Sequence, residues 1–355
     1  ATSRPARMRP RGGARAPTDW LPPVLHLYHV PKFRSTRVLW LIGELAQHYT
    51  WGPQEIWVHE FTDVAAFRNA KPRWLLDLNP NGKVPTVAYT GSGPWREGTP
   101  PLFEGGAIMC TLLDSLDKHG TLLSRDERAL FLQLAFYCAG TVDNLTAASS
   151  PIQRAVMLHK DDAASEKAAA AATTSPPPPE GSTEGGGQFE TAPAEPNPSP
   201  PRARTANMDP TVDPVRRTAW DTVVGPFLES VVARTPGEYV AGEAFSAADV
   251  VLGMDLYAFH ERMIARTPEK RSWLDPTRLP RLHALATTLA QRPARRFAFE
   301  ATLADPATLD AMATFGIARW IPAMAPAEAV ARYPHGSFAG AARGPHFRSS
   351  SPTVR

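Results

Sequence analysis

The sequence predicts an α/β domain followed by an all-helical domain, and three observations carry that prediction. Between residues 24 and 118, short alternating apolar runs take turns with segments of helical apolar spacing. From about Arg125 only helical spacing recurs. Runs of Pro, Gly, Ser, Ala and Arg stand at the start, between the helices and at the end. The divisions that follow are a disordered basic leader at 1–23, an α/β domain at 24–118 and a helical domain at 119–300. A disordered insertion at about 160–207 interrupts the helical domain, and a mostly disordered extension occupies 301–355.

Taken in order, Val24–Tyr28 alternates as a half-buried strand, and His29–Arg34 is a loop. From Ser35 the period changes, with Val38, Leu41, Ile42 and Leu45 on one helical face and Ser35 as the expected N-cap. Glu55–Phe61 reads as a second strand and Asp63–Asp77 as a helical or irregular connection. Asn-Pro-Asn-Gly at 79–82 is a dense turn signal leading into Val84-Pro85 and a strand at Pro85–Tyr89. A proline there suits a strand's first residue, and X–Pro is the bond that can be cis. In that form the Val84 N–H and C=O would face outward, free to pair with an extended peptide. A short strand at Pro101–Phe103 and Glu104-Gly105-Gly106 then open an apolar helix, whose N-terminal N–H groups suit a carboxylate. The order β-α-β-α-β-β-α is the thioredoxin-like plan.

In the helical part, three faces are predicted to be buried: Phe131, Leu134, Ala135, Cys138 and Val142; Trp220, Val223, Val224, Phe227 and Val231; Leu282, Leu285, Ala286 and Leu289. The most specific local signal is Phe245-Ser246-Ala247-Ala248-Asp249-Val250, a capping box with Asp in place of Glu and an apolar staple residue. In the extension, Phe315, Ile317, Trp320 and Ile321 are expected to pack back on the helical domain near the site.

Composition narrows the function. Cys110 and Cys138 fit no disulfide framework or metal-ligand spacing, which points to a reducing compartment, the cytoplasm by default. No apolar run reaches the length of a membrane span. The net charge is +3, but residues 1–18 hold five arginines and 332–355 hold four, with no acid in either. Removing those nine charges leaves −6 for the body, which repels phosphates, so no nucleic-acid partner is expected. The Arg-rich leader leaves an organelle address as the alternative localisation. His26, His29, His48 and His59 lack ligand spacing, and no metal is expected.

The succession Leu27-Tyr28-His29-x-Pro31, Arg34-Ser35-x-Arg37-Val38-Leu39-Trp40-Leu41, Asn79-Pro80-x-Gly82-Lys83-Val84-Pro85, Phe103-Glu104-Gly105-x-Ala107-Ile108, Phe245-Ser246-x-Ala248-Asp249 and Arg292-Pro293-Ala294 resembles cytosolic-type glutathione transferases. It is nearest the fungal and bacterial branch with an LYHxPxSRSxRxLW first loop. The resemblance covers roughly 24–118 and, more loosely, 125–160 with 210–300. It implies glutathione as cosubstrate, a small hydrophobic electrophile and a homodimer. Carried over by position, Val84 before Pro85 pairs with the cysteinyl part of glutathione, Glu104 and Gly105 hold the γ-glutamyl end, and Lys83 faces the glycyl end. Gly105 replaces a serine, and Phe33 stands where the branch has its first loop serine.

That substitution matters because a thiol's ordinary pKa is about 8.5, and lowering it by about two units takes roughly 2.7 kcal/mol. A hydroxyl bonded to the thiolate supplies about 1.5–3 kcal/mol and a helix N-terminus about 0.3–1 kcal/mol. Ser35 and Tyr28 are the hydroxyl candidates, with Lys32 able to act by its charge. The expected reaction is conjugation of the glutathione thiolate to the electrophile, with reduction of organic hydroperoxides as a variant. A non-catalytic binding or assembly module is the alternative.

Overall fold

The computed structural model describes residues 24–50, 55–91, 100–146, 214–266 and 272–333. The expected leader, the insertion and the last part of the tail lie outside these residues. The first unit contains β1 (Val24–His29), α1 (Ser35–His48), β2 (Glu55–Glu60), α2 (Val64–Asn69), α3 (Arg73–Leu78), β3 (Thr86–Thr90), β4 (Leu102–Phe103) and α4 (Gly105–Leu116). β1 pairs in parallel with β2 and antiparallel with β3, and β3 pairs antiparallel with β4. This is the mixed thioredoxin-like sheet. Its inner face, Leu25, Leu27, Ile56, Val58, Val87 and Tyr89, joins α1, α4 and the helical domain in one continuous core.

The helical part comprises α5 (Arg128–Tyr137), a π turn at Cys138–Val142, α6 (Asp143–Thr146), α7 (Pro214–Ala219), a second π turn at Trp220–Val224 and α8 (Gly225–Ala233). It continues with α9 (Ala247–Phe259), α10 (Glu261–Arg266), α11 (Pro280–Ala290) and α12 (Pro293–Glu300). The faces predicted on α5 and α11 are buried as expected. The third needs correction: Val223 is 60% exposed, while Leu228 and Val232 are buried. A π turn holds one more residue than an α turn, so the 3.6 spacing read from the sequence loses register across Trp220–Val224.

The capping box forms: the Ser246 N–H donates to Asp249 Oδ2 at 2.8 Å and Val240 N–H to Asp249 Oδ1 at 2.8 Å. Burial pushes the Asp249 carboxyl up to about 6, against the hydrogen bonds that favour its charge. The two units are also joined by charge. Glu44, on α1, accepts from Trp40 Nε1 at 2.8 Å and from Arg292 Nε at 2.7 Å, just before α12 begins.

The extension departs most from expectation. Residues 301–333 form α13 (Pro306–Ala311), a 3₁₀ turn at Met312–Phe315, β5 (Arg319–Pro322) and α14 (Pro326–Arg332). Phe315 stacks on Phe297 of α12 with ring centroids 4.3 Å apart, as the sequence suggested. Beyond it, however, β5 adds to the α/β sheet as a fifth strand, parallel to β2, giving the order β4-β3-β1-β2-β5. Trp320 Nε1 donates to Glu60 Oε2 at 2.7 Å, and Ile321, Met324 and Ala329 cover Val24 and Trp57 on the outer face. All six residues of β1 are therefore buried, where the alternation predicted half. On that outer face His26 Nδ1 lies 2.9 Å from His59 Nε2, and His26 Nε2 lies 2.8 Å from Thr90 Oγ1. Among the described residues, no helix is long and apolar enough to cross a membrane.

Candidate functional site

Three backbone segments converge at one end of the sheet: the loop between β1 and α1, the turn before β3, and the start of α4. Asn79, 2% exposed, organises the turn. Its side chain donates to the Lys83 carbonyl at 3.1 Å and to Thr86 Oγ1 at 3.0 Å, and its Oδ1 accepts the Asn81 N–H at 3.0 Å. Gly82 sits at φ +56°, and a Cβ there would lie 2.9 Å from Lys71 Cγ, so both conformation and space call for glycine. The turn delivers Val84 and a cis Pro85 to the mouth of β3. The Val84 backbone N–H and C=O take no hydrogen bond among the described residues. The cis bond stands where the sequence placed it, and the Val84 peptide groups are left without a partner among the described residues.

Beside it, Glu104 is exposed at φ 71°, and its carbonyl accepts the Ile108 N–H at 3.0 Å to start α4. Its carboxylate caps nothing. Gly105 follows as the first residue of α4, close enough that an added Cβ would stand 3.8 Å from Pro85 Cγ. A free carboxylate next to unpaired helix N–H groups suits an ammonium and a carboxylate on one carbon, the end of an α-amino acid. Lys83 is exposed at the opposite shoulder of the turn.

The two hydroxyl candidates lie elsewhere. Ser35 is fully buried and is not an N-cap: Arg34 takes that position, and no side chain caps α1. The Ser35 hydroxyl donates to the Val30 carbonyl at 3.2 Å and accepts the Val30 N–H at 3.1 Å, closing the loop on itself. Tyr28 is equally buried, and its hydroxyl donates to the Met324 carbonyl at 2.9 Å. Burial raises its pKa well above the ordinary value, which makes it a poorer proton donor. Both hydroxyls hold structure together. Phe33 packs into the apolar cluster of Tyr28, Val30 and Val84, and the Arg68 guanidinium lies 5.1 Å from the Phe33 ring centroid. Asn79 stood out in the sequence only as a turn residue, and Arg68 did not stand out.

One layer beneath, α1 is tied to the helical part by buried charge. Arg37 Nη2 lies 2.9 Å from Asp255 Oδ2 and 3.9 Å from Asp143 Oδ1, and Arg34 Nε lies 3.0 Å from Asp143 Oδ2. Arg34 Nη2 also donates to the Asp143 carbonyl at 2.8 Å. Burial pushes the Asp255 carboxyl up to about 8, with Arg37 pulling against it, and pushes the Cys138 thiol well up. The first π turn aims Asp143 at this cluster.

No family model matches the sequence, and no curated protein matches it. Solved structures that align with it include a glutathione transferase homologue from Lodderomyces elongisporus with two GSH per subunit. That alignment has 16% identity over 78% of this chain and 97% of the other, with a TM-score of 0.45. A glutathione transferase homologue from Sulfitobacter with bound glutathione aligns at 18% identity over 77% and 95%, TM-score 0.46. The glutathione transferase URE2P5 from Phanerochaete chrysosporium aligns at 13% identity over 81% and 96%, TM-score 0.48. These are remote likenesses of overall shape.

Among the described residues, no group of three or more His, Cys, Asp or Glu is placed to hold a metal ion. A groove of ≈ 290 Å³ beside α2, lined by Phe61, Phe67, Trp74 and Pro322 among others, includes none of Val84, Glu104 and Gly105.

Proposed function

We propose that this chain binds glutathione at the edge formed by Val84, Glu104 and Gly105 and conjugates its thiolate to a small hydrophobic electrophile. The observation that carries the reading is the junction of a free peptide edge at Val84 with an exposed carboxylate and a helix N-terminus at Glu104-Gly105. A peptide with an α-amino-acid end fits both. In that pose the Val84 N–H and C=O pair with the central residue, the α4 N–H groups and Glu104 take the γ-glutamyl end, and Lys83 meets the far carboxylate. The thiolate attacks the electrophile, a C–S bond forms, and the leaving group departs with its electron pair. Reduction of an organic hydroperoxide is the variant in which sulfur attacks the terminal oxygen, the O–O bond breaks and the alcohol leaves, and a second glutathione converts the resulting sulfenic acid to glutathione disulfide and water. The helical part supplies the apolar wall, and a homodimer is the expected assembly.

Calorimetric titration with glutathione, and with its analogue lacking the γ-glutamyl group, tests the binding reading. Tight binding of the first and loss with the second supports it, and equal binding of both refutes it. A second reading, a binding module without catalysis, draws on the Ser35 and Tyr28 hydroxyls being spent on Val30 and Met324. Conjugation of glutathione to an activated aryl halide, faster than in buffer alone, excludes it.

A further inference from the structure

We propose that Lys32 is the catalytic cation that holds the thiolate, in place of a hydroxyl; this rests on the glutathione reading above. Among the described residues, two that are not glycine have positive φ, Lys32 at 62° and Glu104 at 71°. Both are exposed and charged, they have opposite signs, and they stand in two of the three segments that build the site. The left-handed conformation of Lys32 belongs to the turn Val30-Pro31-Lys32-Phe33, closed by the Phe33 N–H on the Val30 carbonyl at 3.1 Å, whose third residue takes a positive φ after proline; the turn sets the backbone and leaves the side chain at the rim. Nothing in the fold's own bonding uses the Lys32 side chain: its ammonium enters no ion pair or hydrogen bond among the described residues.

The packing of the neighbouring residue puts the Lys32 loop on the side of the site where the proposed thiol would lie. Phe33, the next residue, packs in the apolar cluster that contains Val84, and its N–H donates to the Val30 carbonyl at 3.1 Å. The loop therefore runs alongside the ligand residue that pairs with Val84, the one carrying the thiol. The alternative donors are accounted for. The Ser35 and Tyr28 hydroxyls are bonded and buried, and Arg34 is held by Asp143. What remains is Lys32 together with the Arg34 and Ser35 N–H groups at the start of α1, which reach no backbone carbonyl. An ammonium near a thiolate lowers the thiol pKa by favouring the anion. Because the lysine is exposed, salt screens the effect.

The test is a pH titration of thiolate absorbance with glutathione bound to the full chain, in wild type, Lys32→Asn, Lys32→Arg and Lys32→Gly. Asparagine and glycine both tolerate the left-handed backbone, so charge is removed without disturbing the loop. In wild type the bound thiol should titrate below free glutathione. Asn and Gly should both raise the bound value by about half a unit to one unit, Arg should restore it, and added salt should shrink the difference. Bound glutathione whose thiol is unlowered in wild type, or equally lowered in Lys32→Asn, overturns the assignment to Lys32 alone. A wild-type chain that binds no glutathione overturns the proposed function and this assignment with it.

Discussion

Two layers of charge lie within a few residues of each other along the start of α1, and they are built oppositely. At the rim, Lys32, Lys83 and Glu104 are exposed and make no ion pair among the described residues. One helical turn below, Arg37 and Asp255 are buried to 5% or less, are bonded to each other, and are linked through Asp143 to Arg34. The lower layer satisfies its charges internally and fixes where α1 sits against α9. The upper layer leaves its charges to a ligand. Residues of the same chemical kind thus divide between architecture and recognition by burial and partnership.

Breaking the lower layer should have the largest effect. Above about pH 8, where the Asp255 carboxyl has lost its proton, Arg37→Met leaves a buried charge without its cation, and loss of one partner of a buried pair costs about 3–5 kcal/mol. Urea denaturation should show that loss, and a change under about 1 kcal/mol would mean the pair is solvated in solution. Asp255 also sharpens the comparison through pH. Its folded carboxyl sits at about 8 against an ordinary 3.8, so the folded chain keeps a proton that the unfolded chain has lost. Stability from this group is complete below the ordinary value and declines as pH rises to about 8, by up to ~1.4 kcal/mol per pH unit. Asp255→Asn should flatten that decline, and parallel stability curves for both proteins would assign the slope to other groups.

The upper layer should respond in binding rather than stability. Glu104→Gln removes a charge-assisted hydrogen bond worth about 1.5–3 kcal/mol, so glutathione affinity should fall about tenfold or more with little change in melting temperature. A melting temperature that falls while affinity holds would make Glu104 structural. The smallest effect is a gain: Gly105→Ser adds a hydroxyl where the Cβ meets only Pro85 Cγ at 3.8 Å. Affinity should rise a few-fold, as one added neutral hydrogen bond allows, and reduced binding would mean that the γ-glutamyl end lies elsewhere.

What could be read from the sequence was what depends on neighbours in the chain. The capping box at Ser246 and Asp249, the apolar face of α1 and the turn at Asn79 are local, and each formed where its signal stood. Ser35 shows the boundary: its position at the start of α1 was legible, but its hydroxyl's choice of Val30 depends on how the loop folds back. Val223 faced outward because a π turn breaks the period that any helical reading assumes. The burial of His26 under the extension could not be anticipated, since β5 is four residues long and exists only against β2. The entry of β3 at Pro85 was visible in advance because proline limits where it can stand in a strand.

The late strand has a consequence for how this chain is made. Trp320 and Glu60 meet across 260 residues, so β2 leaves the ribosome long before its covering partner exists. During that interval the α/β unit carries a bare sheet edge, the kind of surface that templates unwanted pairing with other chains. Contacts this distant in sequence also slow the final step of folding. A chain stalled or cut before Arg319 keeps that edge open, so chaperone dependence should concentrate in nascent and truncated forms rather than in the finished protein.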